Sequence, residues 1–117
     1  MLYFMQTHTM KLQSEPFEKI KLGMKKIELR LYDEKRRAIE IGDTITFLKE
    51  PDQTENLVVK VISLLRYATF ADIAEDFDTK TYFGHTSKDE LLAGVGHFYT
   101  EDDQKHFGVL GIRIRKL

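Results

Sequence analysis

Between Gly23 and Phe47 the chain reads GMKKIELRLYDEKRRAIEIGDTITF, and here the side chains able to do polar chemistry are densest. Lys25, Glu28 and Arg30 set two cations around one carboxylate. Such a carboxylate favours its ionised form. It then accepts from a base amino group or a water, while the lysine and arginine meet a phosphate or a polar base edge. The same trio also suits an ordinary cross-strand ion network on an exposed sheet face, and from the residues alone both readings stay open. Further on, Lys35, Arg36 and Arg37 form the densest basic cluster. They read as a phosphate-contacting rim whose effect fades with salt, or as a solvated turn offset by Asp33, Glu34 and Glu40. Arg36 and Arg37 cannot both point the same way. Tyr99, beside His97 and Phe98, offers a ring on which an unpaired base can stack, although edge packing suits it equally.

The elements that must hold these groups follow from hydrophobic periodicity. Phe4 to Leu12 reads as a strand after a frayed Met1 to Tyr3. Ser14 supplies an N-cap for a two-turn helix that buries Phe17 and Ile20 and stops at Gly23. Ile27, Leu29 and Leu31 then alternate with Lys26, Glu28 and Arg30, the clearest period-two pattern in the chain. Strict alternation sets Lys25 and Glu28 on opposite faces, so they converge only through a bulge or turn after Gly23. Asp33 to Ala38 reads as a turn or a single helical turn capped by Asp33. Thr44 to Leu48 and Leu57 to Tyr67 read as strands flanking a polar loop. Phe70, Ile73, Ala74 and Phe77 have helical spacing behind a Thr69 cap, and Ser87 with Glu90 predicts a capping box for a helix ending at Gly94 and Gly96. The acidic run Glu101, Asp102 and Asp103 bounds the cleft or caps a short helical turn. Phe107 to Ile114 closes the chain as a strand whose glycines let another backbone come near or mark a bulge. Connections this short do not suit βαβ crossovers. The expectation is an α+β protein built on a small mixed or antiparallel β-barrel, with two to three short flanking helices, forming one domain over residues 1–117.

Composition narrows the function classes. Lys plus Arg (18) and Asp plus Glu (19) nearly cancel, so a polyanion would have to be bound by a local patch rather than by bulk attraction. The absence of cysteine removes disulfides, thiolate metal ligands and thiol catalysis. His8, His85, His97 and His106 lack the spacing of a helical metal site, so neither a metal nor another cofactor is expected. MLYFMQTH lacks the basic and apolar regions of a signal peptide, and no stretch reads as a membrane span. The expected location is cytoplasmic.

Several stretches together resemble one family: PFEKIKLGMKKIELRL at 16–31, DEKRR at 33–37, IGDTITF at 41–47 and FYTEDDQKHFGVLGIRI at 98–114. With Gly23, Lys25, Glu28 and Arg30 supplying an intact G-x-K-x-x-E-x-R core, they are similar to the ASCH (activating signal cointegrator homology) family of the PUA-like superfamily. The resemblance implies a small β-barrel with flanking helices and a motif-lined cleft that binds RNA or a nucleotide. On that reading the ligand-binding residues are Lys25, Glu28, Arg30, Lys35, Arg36, Arg37 and Tyr99. One relative in the motif region, the bacterial acetylcytidine amidohydrolase, implies an alternative: a small hydrolase acting on a modified nucleoside or on RNA, with Lys25 and Glu28 as catalytic residues. This chain has Glu28 where that enzyme carries threonine, and Glu75, Asp89 and Glu90 are the positions open to its glutamate.

Overall fold

The computed structural model describes residues 4–117, so the frayed end expected at Met1 to Tyr3 lies outside the described residues. Alternation builds five strands: β1 (Thr7–Leu12), β2 (Ile27–Leu31), β3 (Thr44–Lys49), β4 (Asn56–Tyr67) and β5 (Val109–Lys116). They form one sheet in the order β1-β3-β4-β5-β2. β1 runs parallel to β3, and every other pairing is antiparallel. The sheet is mixed and curls into a half-barrel, with β1 and β2 as its two edges.

Each face of the sheet buries its own core. On one face Met10, Leu12, Ile45, Phe47, Val59 and Ile112 pack beneath Phe17 and Ile20 of helix α1 (Ser14–Lys21). On the other, Ile27, Leu29, Leu31 and Val109 are covered by Phe70 and Ile73 of α3 (Phe70–Asp76), by Phe83, and by Leu91 of α4 (Lys88–Gly96). Phe17, Phe47, Phe70 and Phe83 have essentially no exposure; burying a side chain of this size contributes about 2 kcal/mol. Gly111 shows why β5 carries a glycine mid-strand, since a Cβ there would collide with Ile73 Cδ1. The close approach at Gly111 is thus that of a side chain rather than of another backbone, and the irregularity of the β4–β5 register falls on β4, between Val61 and Ser63.

Local expectations change at four points. β1 begins at Thr7 rather than Phe4, because its partner β3 begins at Thr44, the residue facing Thr7. Helix α1 takes Gln13, not Ser14, as its N-cap, since the Phe17 N–H donates to the Gln13 carbonyl at 3.0 Å. Ser87 does accept from the Glu90 N–H, but the Glu90 carboxylate turns to His85 and Thr86, leaving half a capping box. α4 runs through Gly94 to Gly96, and neither glycine has a positive φ. Two further helices are four and seven residues long: α2 (Glu34–Arg37), capped by Asp33 as expected, and α5 (Glu101–Phe107). A single π-helical turn at Thr79–Phe83 precedes α4. No described helix is long and apolar enough to cross a membrane.

Candidate functional site

The motif sits on β2, an edge strand hydrogen-bonded only to β5. Alternation commits Ile27, Leu29 and Leu31 to the core under α3 and α4 and sets Glu28 and Arg30 apart from them, on the open edge of the sheet where a cleft runs between α1 and α4. Lys25 escapes the alternation because β2 begins only at Ile27. Gly23, just beyond the Leu22 C-cap of α1, has φ +78°, and the N–H groups of Met24 and Lys25 both donate to the Lys19 carbonyl, at 2.8 and 3.1 Å. The turn required after Gly23 is therefore present, and it swings Lys25 onto the face of Glu28.

There the three side chains close into a network. Lys25 Nζ lies 2.7 Å from Glu28 Oε1, and Arg30 donates through Nε to Glu28 Oε2 at 2.9 Å. Arg30 Nη2 reaches the same Oε2 at 2.8 Å and also donates to the Lys11 carbonyl at 2.9 Å. Glu28 is 3% exposed. Burial alone would push its carboxyl up, but the charges and hydrogen bonds of Lys25 and Arg30 outweigh burial and hold it down at about 2. The carboxylate is thus permanently ionised near neutral pH, and it fixes both cations in place. Lys25 donates to no described acceptor other than Glu28, so it retains N–H groups for a ligand.

The network forms the floor of a cleft of about 550 Å³. Phe83, Leu91, Val95 and Tyr99 make an apolar wall, and Lys11, Lys19 and His85 stand among its polar lining. Gly94 borders the space as well, and a Cβ there would meet nothing. Tyr99 is half-buried and stacks on Phe70 with centroids 5.4 Å apart. Burial raises its phenol further against the downward pull of Arg30, so it remains a hydroxyl donor. Phe98 lines the cleft too and is 61% exposed.

Of the sequence-predicted residues, the fold brings Lys25, Glu28, Arg30 and Tyr99 together at this cleft. Lys35, Arg36 and Arg37 lie on α2 and are not among its lining residues. Arg36 is turned to Asp33, with Nη1 to Oδ2 at 3.1 Å, and Arg37 lies over the Tyr32 ring at 5.1 Å; Lys35 is exposed. Glu75, Asp89 and Glu90 do not line the cleft either: Glu75 pairs with Lys88, and Glu90 with His85. The acids that do line it besides Glu28 are Glu15 and Glu50. Sequence reasoning missed Lys11, Lys19 and His85. Lys11 lies on β1, Lys19 on α1 and His85 between the π turn and α4, and the curl of the sheet that brings the β1 and β2 edges together gathers them, a neighbourhood that spacing within any one segment does not encode. Among the described residues no group of three or more His, Asp or Glu is arranged to hold a metal ion.

The family model of the ASCH domain matches residues 10–117. Among solved structures, the crystal structure of hypothetical protein PH0355 is 38% identical, with a TM-score of 0.81 over 97% of this chain and 100% of that one. The solution structure of protein PF0455 from Pyrococcus furiosus is likewise 38% identical, with a TM-score of 0.74 over 95% and 97% of the two chains. An ASCH protein from Zymomonas mobilis shares the fold at 13% identity, with a TM-score of 0.61 over 93% of this chain and 66% of its own. No curated protein matches by sequence.

Proposed function

The chain belongs to the ASCH domain family, and from that premise we propose that its cleft receives a nucleotide or a short single-stranded segment of RNA. The observation that carries this reading is the ionised Glu28 between Lys25 and Arg30 on the cleft floor. The pair of cations suits a phosphate or a polar base edge, and the Tyr99 and Phe98 rings beside it suit an unstacked base. The carboxylate's part is to hold the cations, and its low pKa makes it a poor proton acceptor for hydrolysis at neutral pH. That favours binding over the hydrolase alternative, in which Lys25 and Glu28 would carry the chemistry. Lys35, Arg36 and Arg37 are left with at most peripheral contacts to a longer strand.

Fluorescence anisotropy of labelled single-stranded RNA at two salt concentrations tests the reading. Wild type should bind, and more weakly at the higher salt. Lys25→Ala should lose about tenfold or more in affinity, the worth of one charge-assisted hydrogen bond, while Arg36→Ala stays close to wild type. Absence of binding at low salt, or a Lys25→Ala protein indistinguishable from wild type, would overturn it. Incubation with acetylated nucleosides tests the alternative; product that disappears with Lys25→Ala would reinstate it.

A further inference from the structure

A second hollow, of about 270 Å³, opens where the end of β5 passes the α1–β2 turn. Lys25, Lys26, Arg113, Arg115 and Lys116 all line it, and no Asp or Glu does. Strand geometry explains this concentration of one sign. Ile112 and Ile114 belong to the core under α1, so alternation turns Arg113 and Arg115 to the opposite face of β5, and Lys60 stands opposite Arg115 on β4.

Apart from Lys25, which pairs with Glu28, the cations of this hollow are not answered by a carboxylate among the described residues. Lys19, Lys21, Lys49 and Lys88 each pair with a carboxylate. Among the described residues, Lys26, Arg113, Arg115 and Lys116 form no ion pair. Two of them are nonetheless held in place: Arg113 lies over the Tyr82 ring at 5.4 Å, and Lys116 Nζ donates to the Lys21 carbonyl at 2.8 Å. In a chain whose formal net charge is −1, such a local excess is the kind of patch a polyanion would need. Lys25 lines both this hollow and the cleft, so the two adjoin at this residue.

We propose that this hollow binds a backbone phosphate of a single-stranded RNA whose base occupies the cleft, the strand crossing Lys25 from one to the other. The inference rests on the cleft reading and adds a separate subsite to it. Base recognition and phosphate recognition are then divided, with Tyr99 and the Glu28 network on one side and Arg113, Arg115 and Lys116 on the other.

The test is calorimetric titration of the full chain with a nucleoside 5′-monophosphate and with a single-stranded RNA of eight nucleotides, each over a range of salt. The variants are Arg115→Gln with Lys116→Gln, both exposed and outside either core, and Arg113→Gln separately; thermal melts check that each still folds. The double variant should weaken the eight-nucleotide RNA about tenfold and flatten its salt dependence by roughly one unit of log–log slope. Its affinity for the monophosphate should stay within about twofold of wild type. An unchanged affinity and slope for the longer RNA, with Lys25→Ala still impairing both ligands, overturns the subsite and leaves the cleft reading standing. Equal losses on both ligands also overturn it, because the hollow would then not be separate. Wild type that binds neither ligand at low salt overturns the cleft reading and this inference together. Polyglutamate that binds in place of RNA with the same dependence on Arg115 and Lys116 assigns the hollow to an acidic protein segment and overturns it as well.

Discussion

Among the described residues, Glu28 and Asp43 are the two charged ones that are buried, at 3% and 0% exposure, and they are satisfied in different ways. Asp43 bonds largely to the backbone: Oδ1 accepts from the Gln6 N–H at 3.0 Å and Oδ2 from the Glu40 N–H at 2.9 Å, with His8 Nε2 2.7 Å from Oδ2. Its partners belong to the start of β1 and the turn before β3, so it pins two chain segments that lie far apart in sequence. Glu28 is bonded mainly to the ends of two long cationic side chains and borders open space. A carboxylate answered by backbone N–H groups is a piece of architecture. One answered by an ammonium and a guanidinium at the floor of a cleft keeps charged donors ready for a ligand.

Replacement of each carboxylate gives the largest effect. Glu28→Ala strands two cations and should lower stability by about 4 kcal/mol, while Asp43→Ala orphans buried backbone donors at a cost of about 3 kcal/mol; urea unfolding measures both. RNA binding separates them, since Glu28→Ala should abolish it and Asp43→Ala, where folded, should keep it. Equal binding by the two variants would break the contrast.

Acid should reveal Glu28 next. Its carboxyl lies near 2 in the folded protein, against an ordinary value of 4.5. A carboxyl depressed on folding contributes its stability in full above the unfolded value and loses it as pH falls through the folded one. Stability should therefore decline between about pH 4.5 and about pH 2, by about 3 kcal/mol for this group. Glu28→Gln should flatten that part of the urea-unfolding profile. A profile in the same window that is unchanged by Glu28→Gln would remove the claim.

Removing one partner from each carboxylate is milder. Lys25→Ala leaves Glu28 with Arg30, and His8→Ala leaves Asp43 with its backbone donors, so each should cost about 1 kcal/mol in thermal stability. Only the first should impair RNA binding. The smallest effect should come from Lys35→Ala, an exposed residue, with stability within about 0.5 kcal/mol of wild type and anisotropy titrations close to it. A large loss there would move the binding surface toward α2.

How much of this was legible in the sequence varies by element. β2, β3 and β4 could be read because alternating or β-branched apolar residues commit each strand to buried faces. α5 could be read only as a short turn. EDDQKHF has no apolar period, and what starts that helix is the reciprocal bonding of Thr100 and Asp103 at its N-terminus. Lys25, Glu28 and Arg30 were legible as a group because all three lie within one turn and strand. Their cleft was not, since Lys11 and His85 reach it through the strand order and the course of the π turn and α4. The basic cluster at 35–37 lies outside the cleft, since density of charge along the chain is no guide to concavity, and Asp33 and Tyr32 engage two of its three members.

Arg30 has one further consequence, at the seam where the barrel stays open. Its Nη2 donates to the Lys11 carbonyl, so a β2 side chain takes an acceptor on the unpaired rim of β1. An uncovered strand edge invites a strand from another molecule, and the resulting edge-to-edge association is a common route to aggregation. The guanidinium is a stopper that no incoming backbone can extend, because it satisfies the carbonyl without presenting a new row of hydrogen-bonding groups. The group that helps shape the cleft thereby also guards the protein's colloidal behaviour at that edge.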